Sequence, residues 1–249
     1  QWDLSHLYSA AGATLPDLVE PGEFVPSPST QEELESALRY MLAQGSDQLV
    51  FHLPGLSEEK SRQLMDQSLA VMKDHCEQGY NQVHCTWSRE LVTLSFSAAG
   101  AGRRTQEYRA ASIEAAAAVH DRLWEEGALR LDMTEKEKAL VYYDWICDNC
   151  AYDYHAKDDS LSHIPYSLFA KKTAVCDGYT GAYNLLLKLE GIQCSTIIQG
   201  DHIWSVAILD GTEYHIDTTW GDSGSETLYD YFAMTPQQSM KIHAEKSIL

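Results

Sequence analysis

Positive charge is scarce in this chain. Its 249 residues carry 18 Lys and Arg against 37 Asp and Glu, a formal net charge of −19. A surface of that sign repels phosphate backbones and anionic lipid headgroups, which argues against nucleic acid as a partner. Long apolar runs are missing too. None approaches the roughly 20 residues that span a bilayer, so no transmembrane segment is expected. Six cysteines (Cys76, Cys85, Cys147, Cys150, Cys176 and Cys194) are too few for a disulfide scaffold in a chain of this length. Cys147-x-x-Cys150 has no second CxxC to complete a structural zinc site, so the two read as core residues or a local disulfide. No EF-hand loop occurs, and neither a metal nor another cofactor is expected. The chain begins at Gln1 rather than at methionine, as it would after removal of a leader. The expected setting is extracellular or the cell envelope.

What is present suffices for a substantial core: 44% of the residues are hydrophobic and 10% aromatic. Residues 1–29, rich in Gly, Pro and Ser, read as an irregular lead-in. Thr30 with Glu33 forms a capping box that opens a helix with a Leu34, Leu38, Met41 and Leu42 stripe. Residues 49–54 read as a strand, Ser57 opens a long helix, and 83–96 read as a hairpin. AAGAGRR, 98–104, is a plausible boundary. Beyond it come a helix over 112–127 and another opened by the Thr134 and Glu137 box. A loop follows to about residue 165, then a helix from Cys176, and finally three strand-like runs. This gives a lead-in (1–29), an α/β module (30–104) and a second unit (105–249).

Cys176 raises a chemical question, because a thiol caps a helix poorly. It gains from that position in another way, since the positive helix end favours a thiolate and should lower its pKa. The alternative is a buried apolar cysteine. Asp210-Gly211 between alternating runs signals a two-residue hairpin turn, in which Leu209 faces Thr212. That register puts His202, Trp204, His215, Asp217 and Thr219 on one face. His202 and Asp217 become diagonal neighbours, roughly 7–8 Å apart at Cα and within reach of an imidazole–carboxylate bond. A thiol, a base and an orienter are the groups that thiolate catalysis needs. The alternative is that the histidine and aspartate are ordinary polar positions on a half-exposed sheet.

Val175-Cys176-Asp177-Gly178-Tyr179, His202-Ile203-Trp204 and His215-Ile216-Asp217-Thr218-Thr219-Trp220 resemble the motifs of the transglutaminase-like superfamily, in its bacterial type. The similarity runs over about residues 109–235, with YDYFAMT as its tail. The resemblance implies an α+β protein: a small N-terminal α/β module, then a papain-like domain whose nucleophile helix packs on an antiparallel sheet. It also implies Cys176 as nucleophile, His202 as base and Asp217 as orienter, with His202 preferred to His215 because it precedes the tryptophan by two residues. Tyr166 matches an upstream tyrosine of the family and is an oxyanion or groove candidate, as are Trp204 and Trp220. The lone CxxC argues against the glycan-removing branch, and the calcium dependence of animal transglutaminases is not carried over. Ile203 and Asp177 depart from the usual pattern, and an acidic neighbour opposes thiolate formation.

The implied function is acyl chemistry on a peptide or glutamine amide, as hydrolysis or cross-linking, on a protein or peptide substrate that is cell-surface in the envelope setting. The alternative is a weak or inactive module that binds peptide or cell-wall ligands.

Overall fold

The computed structural model describes residues 27–28, 30–43, 46–55, 57–98, 100–101 and 104–246. The lead-in over 1–29 lies almost wholly outside them, and the 98–104 boundary lies partly outside. In the first half, α1 (Gln31–Ala43) starts where Thr30 Oγ1 accepts the Glu33 N–H at 3.2 Å. Its Leu34, Leu38, Met41 and Leu42 stripe is buried. After β1 (Gln48–His52), Ser57 caps α2 (Glu58–Asp74) by accepting the Lys60 N–H. A 3-10 turn (Cys76–Gln78) then leads to the hairpin of β2 (Gln82–Ser88) and β3 (Leu91–Ser97). β3 is the central strand of an antiparallel sheet ordered β1-β3-β2. Its Val92, Leu94 and Phe96 alternate inward and meet Leu38, Leu42, Leu64 and Met72 in one apolar cluster.

The second half opens with α3 (Thr105–Glu125), which starts well before residue 112. The first two turns bury polar side chains, Thr105, Arg109 and Ser112, rather than an apolar stripe, so apolar periodicity passes over them. α4 (Glu135–Asn149) has the reciprocal Thr134 and Glu137 box. Asp210, in the β-turn, accepts from the Glu135 and Lys136 N–H groups at 3.0 and 3.3 Å and ties the helix start to the hairpin. A short parallel pair, β4 (Ala151–Tyr152) with β5 (Thr173–Ala174), brackets α5 (Pro165–Lys171). The expected loop ends at about residue 165, and α5, which was not expected, begins there on Pro165, whose fixed φ suits a first helical position.

α6 (Cys176–Leu189) then packs on the antiparallel sheet β6 (Cys194–Gln199), β7 (His202–Leu209) and β8 (Thr212–Ile216), with β7 central. β8 stops earlier than its apolar alternation suggests, because Asp217 caps a one-turn helix, α7 (Thr218–Gly221). Thr219 therefore leaves the sheet face expected for it. α8 (Pro236–Lys246) closes the described chain. Tyr142, Tyr143, Ile146, Leu168, Tyr179, Tyr183 and Ile216 lie in this half's core. All six cysteines are free, and Cys147 and Cys150 pack partly buried against that core without a bridge.

A polar seam joins the two clusters. The Lys188 ammonium on α6 meets the buried Glu77 carboxylate, and Arg109 Nε donates to Gln78 Oε1 at 2.9 Å. Among the described residues no helix is long and apolar enough to cross a membrane.

Candidate active site

Three local features put Cys176 where it is. Val175 is extended and its N–H donates to Ser162 O at 3.0 Å, which pins the residue before the helix. Gly178 lets the first turn press onto the 162–164 segment, where a Cβ would come within 2.5 Å of Ser162 O. The Thr180 hydroxyl donates to Ile203 O at 3.1 Å, locking α6 against β7 beside His202. The half-buried thiol faces β7, its sulfur 3.8 Å from Asp201 O.

The β7–β8 register pairs Leu209 with Thr212 through to Ser205 with Ile216, as the Asp210-Gly211 turn predicts. Both turn residues have positive φ, 52° and 78°. Past the last pair, Asp217 remains extended and turns its carboxylate inward. Oδ1 accepts the Thr219 and Trp220 N–H groups, each at 3.0 Å. Oδ2 accepts the His202 Nε2–H at 2.7 Å. That bond fixes the His202 tautomer with Nδ1 unprotonated in the neutral ring, and among the described residues Nδ1 makes no hydrogen bond. The Trp220 indole lies parallel to the His202 ring, centroids 4.5 Å apart at 7°. Burial alone would raise Asp217, but the His202 and His243 donors and the Trp220 N–H outweigh it and hold the carboxyl below the ordinary range.

The thiol does not behave as expected from its helix position. Burial raises it, the Asp177 carboxylate adds to that, and Cys176 is pushed up to about 12. The backbone N–H groups of Asp177 and Ile203 oppose the rise but do not cancel it. The reason is desolvation: the end of a helix is worth about 0.3–1 kcal/mol to an exposed charge, less than the cost of moving an anion out of water. At neutral pH the Cys176 side chain is therefore a thiol, not a thiolate. Asp177 has a partner that the sequence did not single out, His163, whose Nδ1 lies 3.1 and 2.9 Å from the two carboxylate oxygens. Asp177 raises the His163 imidazole against the opposing effect of burial, so this histidine keeps its proton to higher pH than usual and offsets the acid beside the thiol. Alkylation of Cys176 by iodoacetamide should accordingly be slow at neutral pH and climb only well above the about 8.5 of a free thiol. Asp177→Asn should speed it severalfold at pH 8; an unchanged rate would show that the Asp177 charge does not reach the sulfur.

The remaining candidates separate. Trp204 is fully buried, and its indole N–H donates to His215 Nδ1 at 3.3 Å, so both belong to the core. His215 is held low by burial, with Glu213 opposing, and bonds Trp204 rather than Asp217. Tyr166 sits on α5 with its ring edge-on to Tyr108, centroids 4.7 Å apart, beside Ala98, Ala101 and Ile164. Tyr152 packs against the Tyr154 and Tyr179 rings, centroids 4.9 and 6.4 Å away, and burial, followed by Cys176 and Asp177, pushes its phenol up to about 12. The sequence reading passed over His163 and a second histidine on Asp217, His243 of α8, whose Nε2 is 3.1 Å from Oδ2. Their types and spacings form no motif.

His202, Asp217 and His243 offer ligand atoms within 4.8 Å of one another, a set that divalent metals accept. The two imidazoles already sit 2.7 and 3.1 Å from the same oxygen. That is hydrogen-bond geometry, with the carboxylate shared by two N–H groups.

Residues 123–216 match the profile of the Transglutaminase-like superfamily, which ends one residue before Asp217. The chain is 26% identical over 117 residues to a human protein named kyphoscoliosis peptidase, an alignment covering 40% of this chain and 18% of that protein. The mouse protein of the same name is 25% identical over the same length. The chain thus spans less than a fifth of the length of these two relatives, which are mammalian where the motifs suggest a bacterial type. A solved structure described as the crystal structure of a TGase aligns with a TM-score of 0.39 at 10% identity, over 69% of this chain and 50% of that one.

Proposed function

Given that the chain carries a transglutaminase-like superfamily domain over residues 123–216, we propose that it is a thiol enzyme performing acyl transfer on peptide or glutamine amides through Cys176, His202 and Asp217. The observation that supports this most is the His202 Nε2 to Asp217 Oδ2 bond at 2.7 Å, which leaves the other ring nitrogen free to take a proton. In this reading the thiol keeps its proton until an amide carbonyl lies against the sulfur. His202 Nδ1 then removes that proton as the C–S bond forms. The oxyanion is met by the Cys176 N–H, which has no intrahelical acceptor at the head of α6. The imidazolium returns its proton to the leaving amine or ammonia, and an acyl-enzyme remains. Water completes hydrolysis; a lysine amine completes cross-linking.

A second reading, a weakly active module that holds peptide ligands, is favoured by the raised thiol. One experiment separates the two. Glutamine-containing peptides are incubated with the protein, with and without a fluorescent amine, while ammonia release, amine incorporation and peptide cleavage are followed. The acyl-enzyme is sought by mass spectrometry. Turnover abolished by Cys176→Ala supports the enzyme. Peptide binding with no acyl-enzyme and no product assigns the second reading.

A further inference from the structure

Asp217 serves two histidines, and only one belongs to the expected triad. His243, 26 residues further along and buried on α8, directs Nε2 at the oxygen that orients His202, 3.1 Å away. Facing a carboxylate, that nitrogen must carry a hydrogen. The other edge of the ring is held by its own helix: Nδ1 lies 2.7 Å from Ser239 O and 3.2 Å from Ser239 Oγ. The faces are held as well. Trp204 stacks on the ring at 3.7 Å and 13°, and Trp220 at 4.5 Å and 16°. Two indoles cannot share one face of a five-membered ring at those separations, so they flank it. Trp220 is the same indole that stacks on His202. The carboxylate is thereby fixed at both oxygens, Oδ1 by the start of α7 and Oδ2 by two imidazoles whose centroids are 5.8 Å apart.

We propose that His243 is a positioning residue for this reaction: its Nε2–H occupies one lone pair of Asp217 Oδ2, leaving a single direction in which His202 can be held. The inference rests on the reading of Cys176, His202 and Asp217 as the reacting groups. Without His243 the buried carboxylate can rotate about Cβ–Cγ, and the His202 ring follows it away from the sulfur. Because productive geometry tolerates only small displacements, the loss falls on turnover rather than on substrate binding.

Two substitutions test this. His243→Phe keeps an aromatic ring between the indoles and removes the Nε2–H that meets Asp217; His243→Gln restores an N–H that reaches Asp217. The expected result is a kcat at least tenfold lower in His243→Phe with KM within twofold of wild type, and recovery of most of that loss in His243→Gln. In an Asp217→Asn background, His243→Phe should cost less than twofold, because the carboxylate it acts through is gone. The same tenfold loss in both backgrounds, or none in either, would overturn the proposal. Nitrogen-15 labelling of the histidines gives a readout that needs no substrate. The wild type should show two exchange-protected ring N–H signals far downfield, both lost in Asp217→Asn, with the His202 signal broadened in His243→Phe. A His202 signal unaltered in His243→Phe rejects the positioning role even if the protein proves to be an enzyme. Coupled signals in a protein that turns over nothing leave the arrangement standing and reject the reaction.

Discussion

Asp217→Asn is expected to leave the fold intact and to lower kcat by a factor on the order of 10³–10⁴. The fold should survive because asparagine caps helices about as well as aspartate. Its amide oxygen can keep the Thr219 and Trp220 N–H groups that Asp217 Oδ1 now accepts at 3.0 Å. Keeping them forces the NH₂ group into the place of Oδ2, facing ring nitrogens that now carry hydrogens at 2.7 and 3.1 Å. Donor then meets donor, and His202 escapes by moving its proton to Nδ1. A ring protonated there cannot take the thiol proton, so substrate still binds while chemistry fails. Steady-state kinetics against a matched circular dichroism spectrum checks this. A kcat within tenfold of wild type, with the spectrum unchanged, would mean that Asp217 does not set the tautomer and would remove it from the mechanism.

The residues that make this site differ in how far the sequence discloses them. The Asp210-Gly211 turn demands positive φ at two successive positions, which only a few residue pairs tolerate. A local signal therefore sets the register of the whole β7–β8 pairing, and the register brings His202 toward Asp217. The Thr134 and Glu137 box is equally local. The start of α7 at Asp217 was hidden, because an aspartate followed by two threonines suits a strand end as well as a cap until the 3.0 Å bonds to Thr219 and Trp220 are seen. His243 reaches the site through the packing of α8 against β8, a contact between segments that share no motif. The early turns of α3 bury Thr105, Arg109 and Ser112, and apolar periodicity does not register a polar face. The thiol failed for another reason. A helix end is visible in sequence, whereas the desolvation that outweighs it depends on what the fold stacks around the sulfur.

The seam between the two halves carries the largest expected effect on stability. Glu77 is fully buried, and its Oε2 has no hydrogen-bond partner among the described residues. Its other oxygen meets the Lys188 ammonium and lies 3.3 Å from His75 Nδ1. His75 Nε2 sits 2.9 Å from Arg39 Nη1, which can only donate, so Nε2 accepts and the Nδ1–H points at Glu77. Burial would raise the carboxyl, but Lys188, followed by His75, overcomes it and holds Glu77 far below the usual carboxylate range. Stability from this pair is therefore complete above the unfolded value of about 4.3 and is lost as pH falls through the folded one. Lys188→Met removes the ammonium and strands a buried anion, at a cost of about 3–5 kcal/mol at pH 7. For a chain of this size that is a fall in Tm of roughly 6–20 °C. The deficit should shrink between pH 7 and pH 5, since a carboxyl buried without a cation has a raised pKa and takes up a proton as the solution is acidified. Glu77→Gln combined with Lys188→Met should recover most of the loss at pH 7, because the uncompensated charge is gone. Thermal unfolding at both pH values distinguishes the outcomes. A pH 7 deficit below about 1 kcal/mol, the range of exposed ion pairs, would mean that water reaches the seam. If Lys188→Met instead splits one unfolding transition into two, the halves fold as separate units and Glu77 with Lys188 is what makes them unfold together.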